Sequence, residues 1–534
     1  MEQETMPQNL TTHKVFPTPN NDTFLEHGVY QSLDPAQQEI RLIRLYVDDG
    51  NDDGTPIRCD LLPPVPLASV RGKYTAVSYC AGDPGTTETV LVNGIPFAVF
   101  ANLAHVLDVA RDFWRKSFPP NSDATTENEC ILWADQISIN QFDLAERSHQ
   151  VGFMRSIYAS AARTLICIST TRAVDTRGVE WLAALHASVD PDGDFYHYYY
   201  ALEYHLRTKL AAASAAVGGG GRFAADWLAL YDIFTSPWWT RTWVYQEFIS
   251  SAEAHVLYGG ASIAWRHVAE VLPTLRKYKV GTLAEPEVRE TMAAVVDFFI
   301  RSKLRFDRAG PYELMDLLAR SRHLRSTDCR DRVYAFLGLV RCDYGIVPDY
   351  SPNNTMASLL ADMASKIVCR DQQLDILSYA CEARGLLSGR LPSWAPDWTC
   401  TSCREIRSRT IEEQTAGDVP AISVTNYASV GAGDDSSSRL ALHVEGYYIG
   451  AVPDQWDLRV VFHDVEIVNA CGGKLRSEGD EFWALVGARN PVVLRRSRDD
   501  GAYQVIEEAR FSGLTSLAGV ARKYGLRSQT LAII

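Results

Sequence analysis

Glu247 stands in the stretch "SPWWTRTWVYQEF", residues 236–248, among three tryptophans and a tyrosine. A carboxyl group on so apolar a segment must be hydrogen-bonded, paired with a cation or kept protonated, because stripping water from an ionised acid without compensation is expensive. The same conditions tune an acid for proton transfer or for stabilising a developing cation. If Glu247 is instead a structural acid, its partner is an arginine such as Arg155 or Arg163. Ser236 is placed to cap a helix and Pro237 to open it. Trp239, Trp243 and Glu247 then follow at steps of four, which puts them on one face. Either tryptophan could stack on a ligand ring or fill the core. Arg241, on another face, could clamp a phosphate or bridge to a neighbouring loop.

A second group lies in "CILWADQISINQFD", residues 130–143. Asp135 follows the apolar run and belongs near a strand's C-terminal end, where it either orients a ribose hydroxyl or bonds loop N–H groups. Asn140 and Gln141 are turn-formers or donors to a ligand. A third group closes "YTAVSYCAGDPG", residues 74–85: Ser78, Tyr79 and Asp83 run from a strand into a Gly-Asp-Pro-Gly turn, which they shape unless Asp83 faces a substrate. None of the twelve histidines stands in HExxH spacing, and Cys400 and Cys403 form the one CxxC without a second pair, so no metal site is expected.

These groups need a common scaffold. From residue 39 onward short β-rich runs alternate with amphipathic helices: residues 39–47, 74–80, 130–139 and 163–169 read as strands, with helices near 103–113 and after Asp143. That alternation predicts a parallel sheet flanked by helices, with functional loops beyond the strands' C-terminal ends. Asp143 and Glu146 have capping-box spacing. Residues 171–235 read as a helical insertion ending in a glycine run, and a long helix is expected over 286–303. The expected domains are a polar, disordered lead-in (1–27), an α/β domain (28–265), a mainly helical region (266–415), a loop or linker (416–439) and a β-rich C-terminal region (440–534).

Composition narrows the partners. A formal net charge of −14 argues against a nucleic-acid surface and against anionic membranes. No run reaches the roughly 20 apolar residues needed to span a bilayer. The opening "MEQETMPQNLTTHK" does not read as a secretory signal, and an odd count of eleven cysteines points to reduced thiols. A cytoplasmic location is the resulting expectation.

Three segments together resemble the fungal heterokaryon-incompatibility (HET) domain: "YTAVSYCAGD", "LWADQISINQ" with "ERS" and "QVGFMRSIY", and "WWTRTWVYQE". Two positions depart from the family pattern, Ala81 where it has tryptophan and Ser138 where it has cysteine. The resemblance implies non-self recognition and regulated cell death. HET domains are similar in motif layout to Toll-receptor-like (TIR) domains, whose enzymatic members use a glutamate to cleave the nicotinamide–ribose bond of NAD; Glu247 looks like that glutamate, and Asp83 and Asp135 are expected to line one cleft with it. The resemblance thus implies a TIR-like fold, a nucleotide or other small-molecule ligand with NAD as a substrate, no required cofactor, and self-association through the domain. Two alternatives stay open: a HET-fold enzyme recruited to secondary-metabolite biosynthesis, and a non-catalytic signalling module.

Overall fold

The computed structural model describes residues 19–47, 56–118, 129–187, 204, 229–277, 296–382, 387, 390–400, 422–427, 439–452, 459–462, 465–469, 479–497, 501–512 and 525–534. The glycine run at 217–222, Cys403 and most of the 416–439 linker lie outside these residues. The chain divides into two compact units, residues 1–311 with 324–326 and 348–351, and residues 312–323, 327–347 and 352–534.

The first unit is built on nine strands: β1 (Ile43–Leu45), β2 (Arg58–Leu61), β3 (Thr75–Tyr79), β4 (Thr87–Val92), β5 (Ile95–Phe100), β6 (Cys130–Trp133), β7 (Arg163–Cys167), β8 (Ala254–Tyr258) and β9 (Ala261–Ala264). They form one sheet in the order β9-β8-β7-β3-β6-β1-β2-β4-β5. The stretch β8-β7-β3-β6 is parallel, as is the pair β2-β4, while the remaining pairs are antiparallel. The sheet is therefore mixed, a correction to the all-parallel expectation. The reason is local: Asn93 and Gly94, with φ of 54° and 78°, close a two-residue turn between β4 and β5, and such a connection forces antiparallel pairing. Within the parallel stretch the chain visits the strands so that their spatial order is second, first, third, fourth, the doubly wound order whose crevice lies beside the first strand.

Alternation along β3 sends side chains to two cores. Val77 and Tyr79 pack under α1 (Ala101–Ser117) with Leu103, Val106 and Leu107. Tyr74 and Ala76 face α3 (Met154–Ser160), joining Trp133, Met154, Ile157 and Tyr158. Ser78 shares the parity of Tyr74 and Ala76 and so belongs to the second face. Burial there of a hydroxyl with 0% exposure demands hydrogen-bond partners.

The expected disorder of residues 1–27 gives way at Pro19–Glu26, which form a helix. Phe24 is fully buried against Phe97, and Asn21 exchanges hydrogen bonds with the Ala98 main chain. The capping box is half made. Asp143 accepts from the N–H groups of Ala145 and Glu146 at the start of α2 (Leu144–Gly152). Glu146, however, takes the Asn140 N–H at 2.7 Å and grips Arg41 with both oxygens, at 2.7 and 2.9 Å. Arg41 is 1% exposed and also donates to the carbonyls of Gln31 and Ser138.

The second unit carries helices at Leu314–Arg320, Asp331–Leu337, Met356–Asp371 and Ile376–Glu382, and an eight-stranded sheet. This is the expected β-rich C-terminal region. Its last strand, Ser528–Ile533, pairs antiparallel with Arg439–Ala451 and touches Tyr503 in parallel. No helix among the described residues is long and apolar enough to cross a membrane.

Removing Glu146 strands a buried guanidinium. Glu146→Ala should lower stability by about 3–5 kcal/mol, read as a shift in the denaturant midpoint, and an unchanged midpoint would show that the pair carries little.

Candidate functional site

The stretch around Glu247 is not one helix. Pro237–Thr240 form a single 3-10 turn capped by Ser236, whose Oγ accepts from the Trp238 N–H. Arg241 is extended, with φ −84° and ψ 142°, and α4 (Thr242–Ser250) starts afresh after it. The break is held from outside: Arg325 donates its N–H to the Thr240 carbonyl, and the Thr242 N–H donates back to the Arg325 carbonyl at 2.9 Å. Lys303 closes the other end of α4, donating to the carbonyls of Ile249 and Ser251 at 3.0 and 2.7 Å.

This break removes Trp239 from the face of Glu247. Trp239 is in the aromatic core, edge-on to Trp238 and tilted against Trp265, with its Nε1 donating to the Ile233 carbonyl. It lines a small apolar cavity with Ile168, Leu182 and Val256. Trp243 stays near the acid's side, partly exposed against the cluster of Tyr74, Trp133 and Tyr158. The tryptophan that reaches the site is Trp238, buried and one residue earlier, which the spacing of four could not reveal because it ran across the break.

Glu247 is 6% exposed, under β3. Ser78 Oγ donates to its Oε2 at 2.5 Å, and Trp238 Nε1 donates to Ser78 Oγ at 3.0 Å. The Tyr158 hydroxyl lies beside the same carboxyl and donates to the Val77 carbonyl at 2.9 Å. Burial pushes the Glu247 carboxyl up to about 8; Ser78 pulls against this, Asp135 adds to it, and Arg241 and Tyr158 oppose it. Near neutral pH Glu247 is therefore mainly a carboxylic acid. Arg155 lies over the Phe306 ring and Arg163 over the Phe118 ring, so neither of the expected structural partners is where that reading needs it.

Asp135 opens a short helical turn, Asp135–Ser138, just after β6, which lies beside β3 with Ala76 paired to Trp133. It accepts the Tyr79 hydroxyl at 2.9 Å and the Gln136 N–H at 2.8 Å. Burial raises its carboxyl too, while Tyr79, Arg241, Gln136 and Arg147 hold it down. Arg241 is half-buried between the groups: burial works against its charge, and the Cys80 thiol, Glu247 and Asp135 more than offset that. Sequence spacing thus brought together Ser78, Tyr79, Asp135, Arg241 and Glu247. It missed Trp238, Tyr158 and Cys80.

The remaining candidates serve the turns. Gln141 donates to the Asp135 carbonyl at 2.9 Å and Asn140 accepts from the Phe142 N–H. Asp83 is exposed and accepts from the Gly85 N–H at 2.9 Å within its own turn. Gly82, at φ +85°, has no room for a side chain: a Cβ would stand 2.6 Å from Asn102 Nδ2, which donates to the Cys80 carbonyl. Ala81 packs partly buried against the α1-side core, and Ser138 Oγ accepts from the Ala134 N–H. Among the described residues no group of three or more His, Cys, Asp or Glu is arranged to hold a metal.

Residues 74–247 match the family model described as "Heterokaryon incompatibility protein (HET)". The HET match thus opens at Tyr74, on the residue leading into β3, and closes on Glu247 itself. The chain is also similar to "Heterokaryon incompatibility protein 6, OR allele" of Neurospora crassa, 25% identical over 370 residues, which are 61% of this chain and 53% of that relative. The chain spans about half the length of this curated relative. No solved structure matches it.

The protonation of Glu247 has a stability consequence. An acid whose folded value lies near 8, above its ordinary 4.5, is protonated when folded and ionised when unfolded between those values, so stability falls as pH rises across that window. Glu247→Gln deletes this loss. Its melting temperature should therefore gain on wild type progressively from pH 4.5 to about 8 and hold constant above; a gap independent of pH would place Glu247 ionised in the folded protein.

Proposed function

We propose that this protein acts in fungal heterokaryon incompatibility and that its HET segment hydrolyses the N-glycosidic bond of a nucleotide, NAD among the candidates, on a TIR-like fold. The first part is supported by the match over residues 74–247 and by the Neurospora crassa relative's name. The second part is carried by one observation: a buried acid, Glu247, bonded to Ser78 at the C-terminal end of the first parallel strand, where doubly wound sheets receive their ligands.

In this reading the two carboxyls divide the work. Glu247, in apolar surroundings, holds a proton; Asp135, bonded to Tyr79 and to a backbone N–H, remains the more readily ionised group. Asp135 orients a ribose hydroxyl or the attacking water, Arg241 meets a phosphate, and Trp243 lies against the sugar or base. Cleavage of an N-glycosidic bond gives the ribose oxocarbenium character, which a nearby carboxylate stabilises.

Glu247→Gln keeps the shape of the side chain and removes its acid chemistry. Incubated with NAD and related nucleotides, the purified variant should remain folded and lose about a hundredfold or more in turnover. Wild-type turnover in the folded variant, or none in the wild type, would end the hydrolase reading.

A further inference from the structure

A buried arginine ordinarily directs its N–H groups to carboxylates or carbonyls, as Arg41 does with Glu146, Gln31 and Ser138. Arg322, in the second unit, departs from that pattern. It is 7% exposed, yet its Nε and Nη2 have no hydrogen-bond partner. The acids of the same unit are engaged elsewhere: Asp328 holds Arg330 through both oxygens, at 3.0 and 2.7 Å, Asp316 accepts the Tyr379 hydroxyl at 2.9 Å, and Asp397 takes the N–H groups of Leu387 and Thr399, each at 3.0 Å. The two unpartnered nitrogens are not an arbitrary pair. Nε and Nη2 form one edge of the guanidinium with their N–H bonds parallel, the fork that meets two oxygens of a carboxylate or a phosphate.

The surroundings fix this fork and leave it short of acceptors. The guanidinium carbon lies 4.9 Å over the indole of Trp398, a buried ring that packs against Tyr379 with centroids 5.2 Å apart. Trp398 Nε1 is a further buried donor without an acceptor. Arg332, half-buried, donates its Nη1 to the Arg322 carbonyl at 3.1 Å and brings a second positive charge, which burial disfavours while Asp397 and Cys329 act the other way. Water supplies an acceptor only together with two hydrogens that need acceptors themselves, whereas an oxyanion supplies acceptors and negative charge at once. We propose that the second unit binds a small molecule through an oxyanion, a phosphate or a carboxylate, on the Nε–Nη2 edge of Arg322, with Trp398 as the platform behind the guanidinium and Arg332 as a neighbouring positive charge. The site stands on residues of the second unit and does not depend on the N-glycosidic reading.

The melting temperature of the full chain is followed in Tris chloride with inorganic phosphate, with acetate or with neither, at an ionic strength held constant with sodium chloride. Saturable stabilisation by phosphate, acetate or both is expected, and the ion that acts names the source of the oxyanion. Arg241 is also assigned a phosphate, so the site is read from the part of the response that Arg322 carries. Arg322→Lys keeps the charge and loses the fork, and should raise the half-saturating concentration about tenfold or more. Arg322→Met removes an uncompensated buried cation, so it should melt above wild type without added oxyanion and lose that part of the response altogether. A wild type that answers neither ion, or a folded Arg322→Met protein whose response equals that of wild type, would overturn the proposal. An Arg322→Met protein that melts below wild type in all three buffers would overturn it as well, because the guanidinium would then be serving the fold.

Discussion

The contact from Ser78 to Glu247 joins the two ends of the segment that matches the HET family model, two residues 169 apart in sequence. Much of the surrounding architecture follows from what that contact requires. A carboxyl with 6% exposure needs neighbours that solvate it, and they must come from different elements: β3 gives the hydroxyl, the 3-10 turn gives the indole N–H behind it, and α3 gives the phenol. Each donor or acceptor is itself tied to main chain or to its neighbour, so the acid cannot shift without disturbing a chain of bonds.

The doubly wound order explains why such distant residues converge. The helix α1 covers one face and α3 with α4 the other, leaving the ends of the parallel strands as the place where polar side chains can gather. Asp135 arrives there on the short helix that follows β6 directly. Arg241 arrives because the chain is extended between the 3-10 turn and α4, a conformation maintained by Arg325. The same bridge satisfies the first free N–H of α4, which otherwise begins in a buried setting.

How much of this was readable in advance depended on the range of the cause. Ser236 and Pro237 marked the start of helical structure through local chemistry, and the strand runs at 74–80 and 163–169 announced themselves by composition. The acid was recognisable because a charged group on an apolar segment is conspicuous whatever the fold. Trp238 was not recognisable, since its role depends on a helix break enforced by a main-chain partner 84 positions after Arg241. The helix at Pro19–Glu26, within the segment expected to be disordered, escaped notice for a similar reason: Phe24 and Asn21 are held by β5, which no local pattern in a polar segment discloses. The Asn-Gly turn between β4 and β5 was a local signal, and giving it due weight would have corrected the all-parallel sheet.

The charge balance explains why one carboxyl keeps its proton and the other does not need to. Arg241 stands beside two carboxyls and a thiol, and one guanidinium can neutralise one carboxylate. Asp135 has the better claim, because Tyr79 and the Gln136 N–H also donate to it. A second negative charge on Glu247 would be uncompensated in a place water does not reach, so the proton stays. That balance is set by the protein's own groups. A ligand bringing positive charge against Glu247 would favour release of the proton, one bringing a phosphate against Arg241 would favour retention, and an uncharged base leaves the acid as the protein prepared it.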